Sequence, residues 1–139
     1  MTHDKKVLII GGSGYLGKHL FSALGPENSI ATYNNSPMQG GIYFNSLTMS
    51  LGDILDDPGG FSHAVILLGD TKPDSCAADI ERSRALNVQS IKSIISELLD
   101  WDVKPVFAST EVVFDGTKGG YVESDDVKPI LVYGEQKVE

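Results

Sequence analysis

Val7-Leu8-Ile9-Ile10-Gly11-Gly12-Ser13-Gly14-Tyr15-Leu16-Gly17 runs from a continuous apolar segment through a glycine-rich turn into an amphipathic stretch. With Lys5 and Lys6 before it, the apolar run predicts a buried strand over 5–10. A helix is expected over Gly14–Leu24, closed by Gly25-Pro26, a usual stop signal. The order strand, tight turn, helix is the first half of a βαβ unit.

Outward from this unit the same alternation continues. Ser29–Tyr33 and Ile42–Phe44 read as short strands, and Leu51–Leu55 as a helical turn before the breaker Asp57-Pro58-Gly59-Gly60. Ala64–Leu68 (AVILL) is apolar throughout, as a strand covered on both faces requires. The longest helix signal spans Ala77–Leu99, where Val88, Ile91, Ile95 and Leu98 keep three-four spacing. Pro105–Ser109 is the fifth expected strand, with its proline at the first position. Residues 110–130 read as loop, and another helix begins near Leu131. Strands separated by helices predict an α/β, Rossmann-like doubly wound parallel sheet. Its course here ends after the fifth strand and the start of the next helix. Residues 1–139 are therefore expected to form one domain.

Composition narrows the class of partner. With 41% hydrophobic and 22% charged residues the chain is a globular composition, and no apolar run reaches the ~18 residues of a membrane span. The apolar stretch after Met1 is too short for a secretory signal, so cytoplasmic residence is the default expectation. Cys76 is the single cysteine, which excludes an internal disulfide and suggests no metal framework. A formal net charge of −8 argues against nucleic acid as partner, because that contact needs clustered Lys and Arg. An anionic small ligand is still compatible, if backbone N–H groups at a helix start hold it.

The glycine turn supplies such a start. Gly12, Gly14 and Gly17 fit G-x-G-x-x-G, while Gly11, Gly14 and Gly17 fit G-x-x-G-x-x-G. One glycine allows the tight turn, the middle one lets backbone approach a pyrophosphate, and the last lets helix pack on strand. The positive end of the helix dipole then faces the phosphates.

A second constellation lies beyond the fifth strand. Ser109-Thr110-Glu111-Val112-Val113-Phe114-Asp115-Gly116 is followed by Tyr133-Gly134-Glu135-Gln136-Lys137. Tyr133 and Lys137, four residues apart, share one helix face at about 6 Å of rise. A phenol with a pKa of ~10 is a poor acid–base catalyst at neutral pH. A lysine cation nearby is expected to lower it. Thr110 offers a hydroxyl for a carbonyl or alkoxide oxygen.

These segments, with Leu86-Asn87-Val88, resemble in order the motifs of the extended short-chain dehydrogenase/reductases. Within that group the Ser-Thr-x-x-Val-Phe-Asp-Gly run is similar to the dTDP-4-dehydrorhamnose reductase family. So is the spacing from Asp125 through Pro129 to Lys137. The resemblance spans nearly the whole chain but about half of a typical member, and it implies that residues 1–139 are the dinucleotide-binding domain without the C-terminal substrate domain. It implies that Tyr133 donates a proton to a sugar carbonyl oxygen, Lys137 holds the nicotinamide ribose, and Thr110 binds the reacting oxygen. It also implies that Gly11, Ser13, Gly14, Tyr15 and Leu16 surround the pyrophosphate, and that Leu68, Gly69 and Thr71 line the cofactor. Asn87 is implied as a support rather than a reactant. A homodimer through the long helices is a further family expectation.

Several departures matter. An acidic residue about 20 positions beyond the turn takes the ribose 2′-hydroxyl in NAD sites. Residues 28–52 hold no charged side chain, and Tyr33-Asn34-Asn35-Ser36 stands at that place. Losing the carboxylate leans toward NADP over NAD, with Asn34 near the ribose, although no arginine is ready for the phosphate. Asn45 stands where the family often has an aspartate near the adenine. Val112 replaces the acid that dehydratase relatives use, which disfavours dehydration. The expected activity is NAD(P)H-dependent reduction of a 4-keto nucleotide-sugar, with an epimerase or a non-catalytic regulatory subunit as alternatives. Residues 1–139 alone are expected to be inactive, with the last helix frayed and Tyr133 and Lys137 unsupported.

Overall fold

The apolar run 6–10 forms β1 (Lys6–Ile10) in a computed structural model that describes residues 5–139. It is followed by α1 (Tyr15–Leu24), β2 (Ser29–Tyr33), β3 (Gly41–Tyr43) and β4 (Phe61–Ile66). Next come α2 (Pro73–Ala78), α3 (Ile80–Arg84), α4 (Ser90–Asp100), β5 (Lys104–Phe107) and α5 (Val132–Val138). Single 3₁₀ turns lie at Leu51–Asp53, Pro58–Gly60 and Glu111–Val113, and a π-helical turn at Ala85–Gln89.

The strands pair in parallel in the order β3-β2-β1-β4-β5. This is the doubly wound, Rossmann-like order that the alternating elements imply. Strand order reverses between β1 and β4, so their carboxyl ends mark the crevice where such sheets take ligands.

The contacts divide the chain into two compact units. One comprises residues 5–68 with 90–108, the other residues 69–89 with 109–139. The first holds all five strands, α1 and α4. Its core sets Leu8, Ile10, Ala64 and Ile66 of the sheet with Ile91, Ile94 and Leu98 of α4, and adds Phe44, Leu51, Leu55 and Val103. Burying each large aliphatic side chain contributes about 1.5–3 kcal/mol, and this is what holds the sheet. The second unit contains α2, α3, the π turn and α5.

Four expected boundaries move. β3 forms over Gly41–Tyr43, one residue earlier than expected. β4 runs over Phe61–Ile66 rather than Ala64–Leu68, because pairing with β1 starts at Lys6↔Phe61 and has no further partner once β1 ends at Ile10. β5 runs over Lys104–Phe107, so Pro105 takes its second position. An outer strand has one unpaired side, where a residue without N–H is tolerated. The single long helix is broken. Asp79 leaves helical geometry (φ −143°, ψ 87°) and accepts from Arg82 N–H at 3.0 Å, so it ends α2 and caps α3. Within α4, Ile94 is buried and Ile95 only partly so. No helix among the described residues is long and apolar enough to cross a membrane.

Candidate functional site

The glycine turn belongs to the first unit, and its glycines are required for different reasons. Gly11 has φ +90°, and a Cβ there would lie 2.8 Å from Leu68 N and 2.9 Å from Leu67 C. A Cβ on Gly17 would lie 2.5 Å from Gly11 O and 2.6 Å from Gly12 Cα. One on Gly12 would meet Ala31 Cβ at 2.6 Å. The fold itself therefore demands these three. Gly14 differs. It precedes α1 with φ −71°, and its nearest prospective neighbour is Gly11 O at 3.4 Å, an ordinary contact. Among the described residues nothing excludes a side chain at Gly14.

Beyond Gly14, α1 has no side-chain cap and no acidic residue in its first turn. Its first N–H groups lack intrahelical acceptors, as at any helix start. Ser13 is half-buried, whereas Tyr15 and Leu16 are 80% and 62% exposed. Thr32 anchors the turn from β2. Its hydroxyl accepts from Gly11 N–H at 3.2 Å and its carbonyl from Gly12 N–H at 2.7 Å. The sequence pattern does not reveal Thr32, because a threonine inside a strand carries no motif of its own.

Asn34 is exposed just past β2. Asn45 is half-buried, and its Oδ1 accepts from Leu47 N–H at 3.1 Å in a local turn. Leu68 packs against the core of the same unit.

The other expected residues belong to the second unit. Gly69 takes φ +145°, and a Cβ there would meet Asn87 Oδ1 at 3.0 Å. Thr71 is exposed. Asn87, buried in the π turn, clamps both backbone groups of Asp70. Its Oδ1 accepts from Asp70 N–H at 2.8 Å, and its Nδ2 donates to Asp70 O at 2.9 Å. Asn87 thus ties the π turn to the loop after β4, rather than to the strand that the family resemblance implies it supports. π turns of this kind concentrate at functional sites.

Thr110 caps the turn Glu111–Val113, with its Oγ1 accepting from Val112 N–H at 3.4 Å and donating to Glu111 Oε2 at 3.1 Å. Tyr133 and Lys137 share one face of α5, with the ammonium 5.9 Å from the ring centroid. Both are half-buried. The expected lowering of the phenol pKa is corrected. Burial first, then the acidic groups Cys76 and Glu111, hold Tyr133 above its ordinary range. Burial also holds the Lys137 ammonium below its own. A raised phenol keeps its proton through neutral pH but is a weaker acid than an ordinary one, so nothing in these surroundings activates it.

The expectation of a frayed last helix is corrected as well. α5 is formed, with Gly134 and Gln136 buried. A Cβ on Gly134 would lie 2.3 Å from Val112 O, so helix and Glu111–Val113 turn approach as closely as backbone allows. Gln136 bonds to Ser83 and Asn87, and Arg84 pairs with Glu139. Among the described residues no group of acidic, histidine or cysteine side chains is arranged to hold a metal ion.

The segment after Thr110 is ordered by Asp115. Its Oδ1 accepts from Thr117 N–H at 3.0 Å, from the Thr117 hydroxyl at 2.8 Å and from the Tyr121 hydroxyl. The Tyr121 ring stacks on Phe114 at 4.5 Å. These donors favour the carboxylate and bring Asp115 from 3.8 down to about 2, with Tyr121 the largest cause. Because the folded value is depressed, its stabilisation is complete above the unfolded carboxylate range and fades as pH falls toward 2. A carboxyl carbon titration should place Asp115 near 2 in the wild type and closer to 3.8 in Tyr121→Phe. An unchanged midpoint in the variant would show that Tyr121 is not the cause.

A parallel sheet with a glycine turn at the carboxyl end of β1 defines a Rossmann-like α/β protein. Within that class the chain belongs to the family described as the RmlD substrate binding domain, whose model matches residues 5–139. A dTDP-4-dehydrorhamnose reductase of Aggregatibacter actinomycetemcomitans is 30% identical over 70 residues, covering 50% of this chain and 24% of that protein. A crystal structure of a hypothetical dTDP-4-dehydrorhamnose reductase from Sulfolobus tokodaii superposes with a TM-score of 0.82 at 30% identity. It matches 96% of this chain and 49% of its own. MoeE5, solved in complex with UDP-glucose and NAD, has a TM-score of 0.83 at 24% identity over 96% of this chain and 46% of its own, a likeness of fold. The chain thus spans about half the length of these structures and a quarter of the sequence relative.

Proposed function

We propose that this chain binds a nicotinamide dinucleotide over Gly11–Gly17, and that the protein carrying it reduces a 4-keto group on a nucleotide-linked sugar. Gly14 carries the reading. It is a glycine the fold does not need, flanked by glycines the fold does need, at an uncapped helix start. A bare backbone there is explained by a pyrophosphate that must come close. The fit extends to exposed Tyr15 and Leu16, whose N–H groups open the helix.

When bound, the reduced nicotinamide supplies a hydride. Tyr133 then donates the proton to the carbonyl oxygen, Thr110 hydrogen-bonds that oxygen, and Lys137 binds the ribose. Support comes from the ammonium standing over the Tyr133 ring on the shared face of α5. The family and the relatives' printed activities agree with this chemistry. NADP(H) is preferred modestly over NAD(H), because the exposed Asn34 offers no carboxylate to repel a 2′-phosphate.

The test is titration of the chain with NADPH and NADH by nicotinamide fluorescence. NADPH should bind a few-fold more tightly. Gly14→Ala should weaken both by ten-fold or more, while folding stability stays within ~1 kcal/mol of the wild type. Equal binding by Gly14→Ala would remove the argument from Gly14. A wild type that binds neither dinucleotide would end the reading.

A further inference from the structure

The second unit contains a buried line of side-chain amides that the proposed chemistry does not use. Gln136 lies on α5 between Tyr133 and Lys137 and is only 5% exposed. Its Oε1 accepts from Asn87 Nδ2 at 2.8 Å, and its Nε2 donates to Ser83 Oγ at 2.8 Å. Ser83 Oγ in turn donates to Cys76 O at 3.0 Å and Ile80 O at 3.2 Å. Asn87 continues the line to both backbone groups of Asp70. No buried side-chain nitrogen or oxygen among the described residues is without a partner, so the line is satisfied throughout.

An apolar side chain would fill this site without any polar requirement. A buried amide that must find both a donor and an acceptor fixes one rotation and one height of the helix instead. Gln136 is one residue before Lys137 and three after Tyr133, so any turn of α5 that breaks its two bonds also moves both. The bonds lead to the π turn and from there to the Gly69–Asp70 loop.

We infer that Gln136 is a positioning residue, whose two amide bonds set the register of α5 so that Tyr133 and Lys137 keep their orientation relative to the Gly69–Asp70 loop. Its catalytic consequence rests on the roles proposed above for Tyr133 and Lys137. Its structural content does not.

Two variants and two readouts test it. In Gln136→Leu of the intact protein, turnover of a nucleotide-linked 4-keto sugar should fall ten-fold or more. Dinucleotide affinity should weaken by a smaller factor, a few-fold, because Lys137 moves with Tyr133. Gln136→Glu should retain most activity at low pH, where a neutral carboxyl can both accept from Asn87 and donate to Ser83. It should then lose activity as that carboxyl ionises, through a step the wild type lacks. The second readout needs no turnover. With tyrosines labelled at the ring carbon bearing oxygen, Tyr133 should titrate at a midpoint shifted by half a unit or more in Gln136→Leu, through altered exposure to solvent, Cys76, Glu111 and Lys137. If Gln136→Leu changes only thermal stability, leaving that midpoint and kcat as in the wild type, Gln136 is core packing and the inference is overturned. If the wild type reduces no keto-sugar, the proposed activity fails while the Tyr133 midpoint still decides the role of Gln136.

Discussion

Tyr133→Phe is expected to lower turnover in the intact protein by about 10²–10⁴-fold, the usual worth of a positioned general acid. Dinucleotide affinity should change less than two-fold. The substitution removes one oxygen from a half-buried ring and leaves the helix face and Lys137 in place. The loss should therefore fall on kcat rather than on cofactor binding. The direction of the Tyr133 pKa adds a second expectation. Burial, Cys76 and Glu111 raise it, so the free protein should hold the phenol proton at neutral pH and shed it only above the ordinary range near ~10. In kcat/KM for reduction, the limb reporting the free protein's donor should accordingly be flat through neutrality. Glu111→Gln should move that limb to lower pH by removing a negative charge near the ring. A phenylalanine variant with more than a tenth of wild-type turnover would take the proton donor's role away from Tyr133.

Gly17→Ala is expected to cost about 1–3 kcal/mol or more of folding stability, and to abolish measurable dinucleotide binding. The added Cβ would lie 2.5 Å from Gly11 O and 2.6 Å from Gly12 Cα, both backbone atoms that no rotamer change can move aside. Relief requires α1 to withdraw from β1 or the turn to distort. The turn is held by the two Thr32 bonds, so distortion loses them as well. Denaturant midpoints for Gly17→Ala and Gly14→Ala make the comparison. The first should fall clearly and the second hardly at all, although both should bind dinucleotide poorly. Equal stability of Gly17→Ala and wild type would mean that helix and strand are not in the contact described.

The sheet was readable because buried parallel strands write themselves as short apolar runs between breakers. β1 and β2 match their expected spans to within a residue. β4 reads three residues late in the sequence because Ser62 and His63, polar but only half exposed, interrupt the apolar signal while the backbone pairs from Phe61. The break at Asp79 was hidden, since a polar residue on the exposed side of an amphipathic pattern also reads as a cap. The π turn was equally silent. It is recognisable only through the bonds of Asn87 to Asp70, which are made across sequence distance.

At the candidate site, the residue types of the glycine turn and of the tyrosine–lysine pair were legible from spacing. What spacing cannot supply is which glycines the packing requires and which it leaves free. That distinction needs the positions of Leu68, Gly11 O and Ala31. Nor could it supply the pKa direction of Tyr133, because the i, i+4 rule counts the lysine but not the burial of both groups. Gln136 is silent in the sequence for a related reason. Between a tyrosine and a lysine that carry a motif, an amide reads as a surface residue until its burial is known.

The division of the chain into units has a consequence for how such a protein can change. All five strands come from residues 5–68 and 90–108, and the remaining segments leave directly after β4 and after β5. Those two excursions carry Thr110, Tyr133 and Lys137, together with the amides that support α5. Each excursion begins just past the end of a strand, so its length and sequence are not tied to the pairing register of the sheet. A strand order of this kind is thus compatible with inserted passages of very different content at those two points.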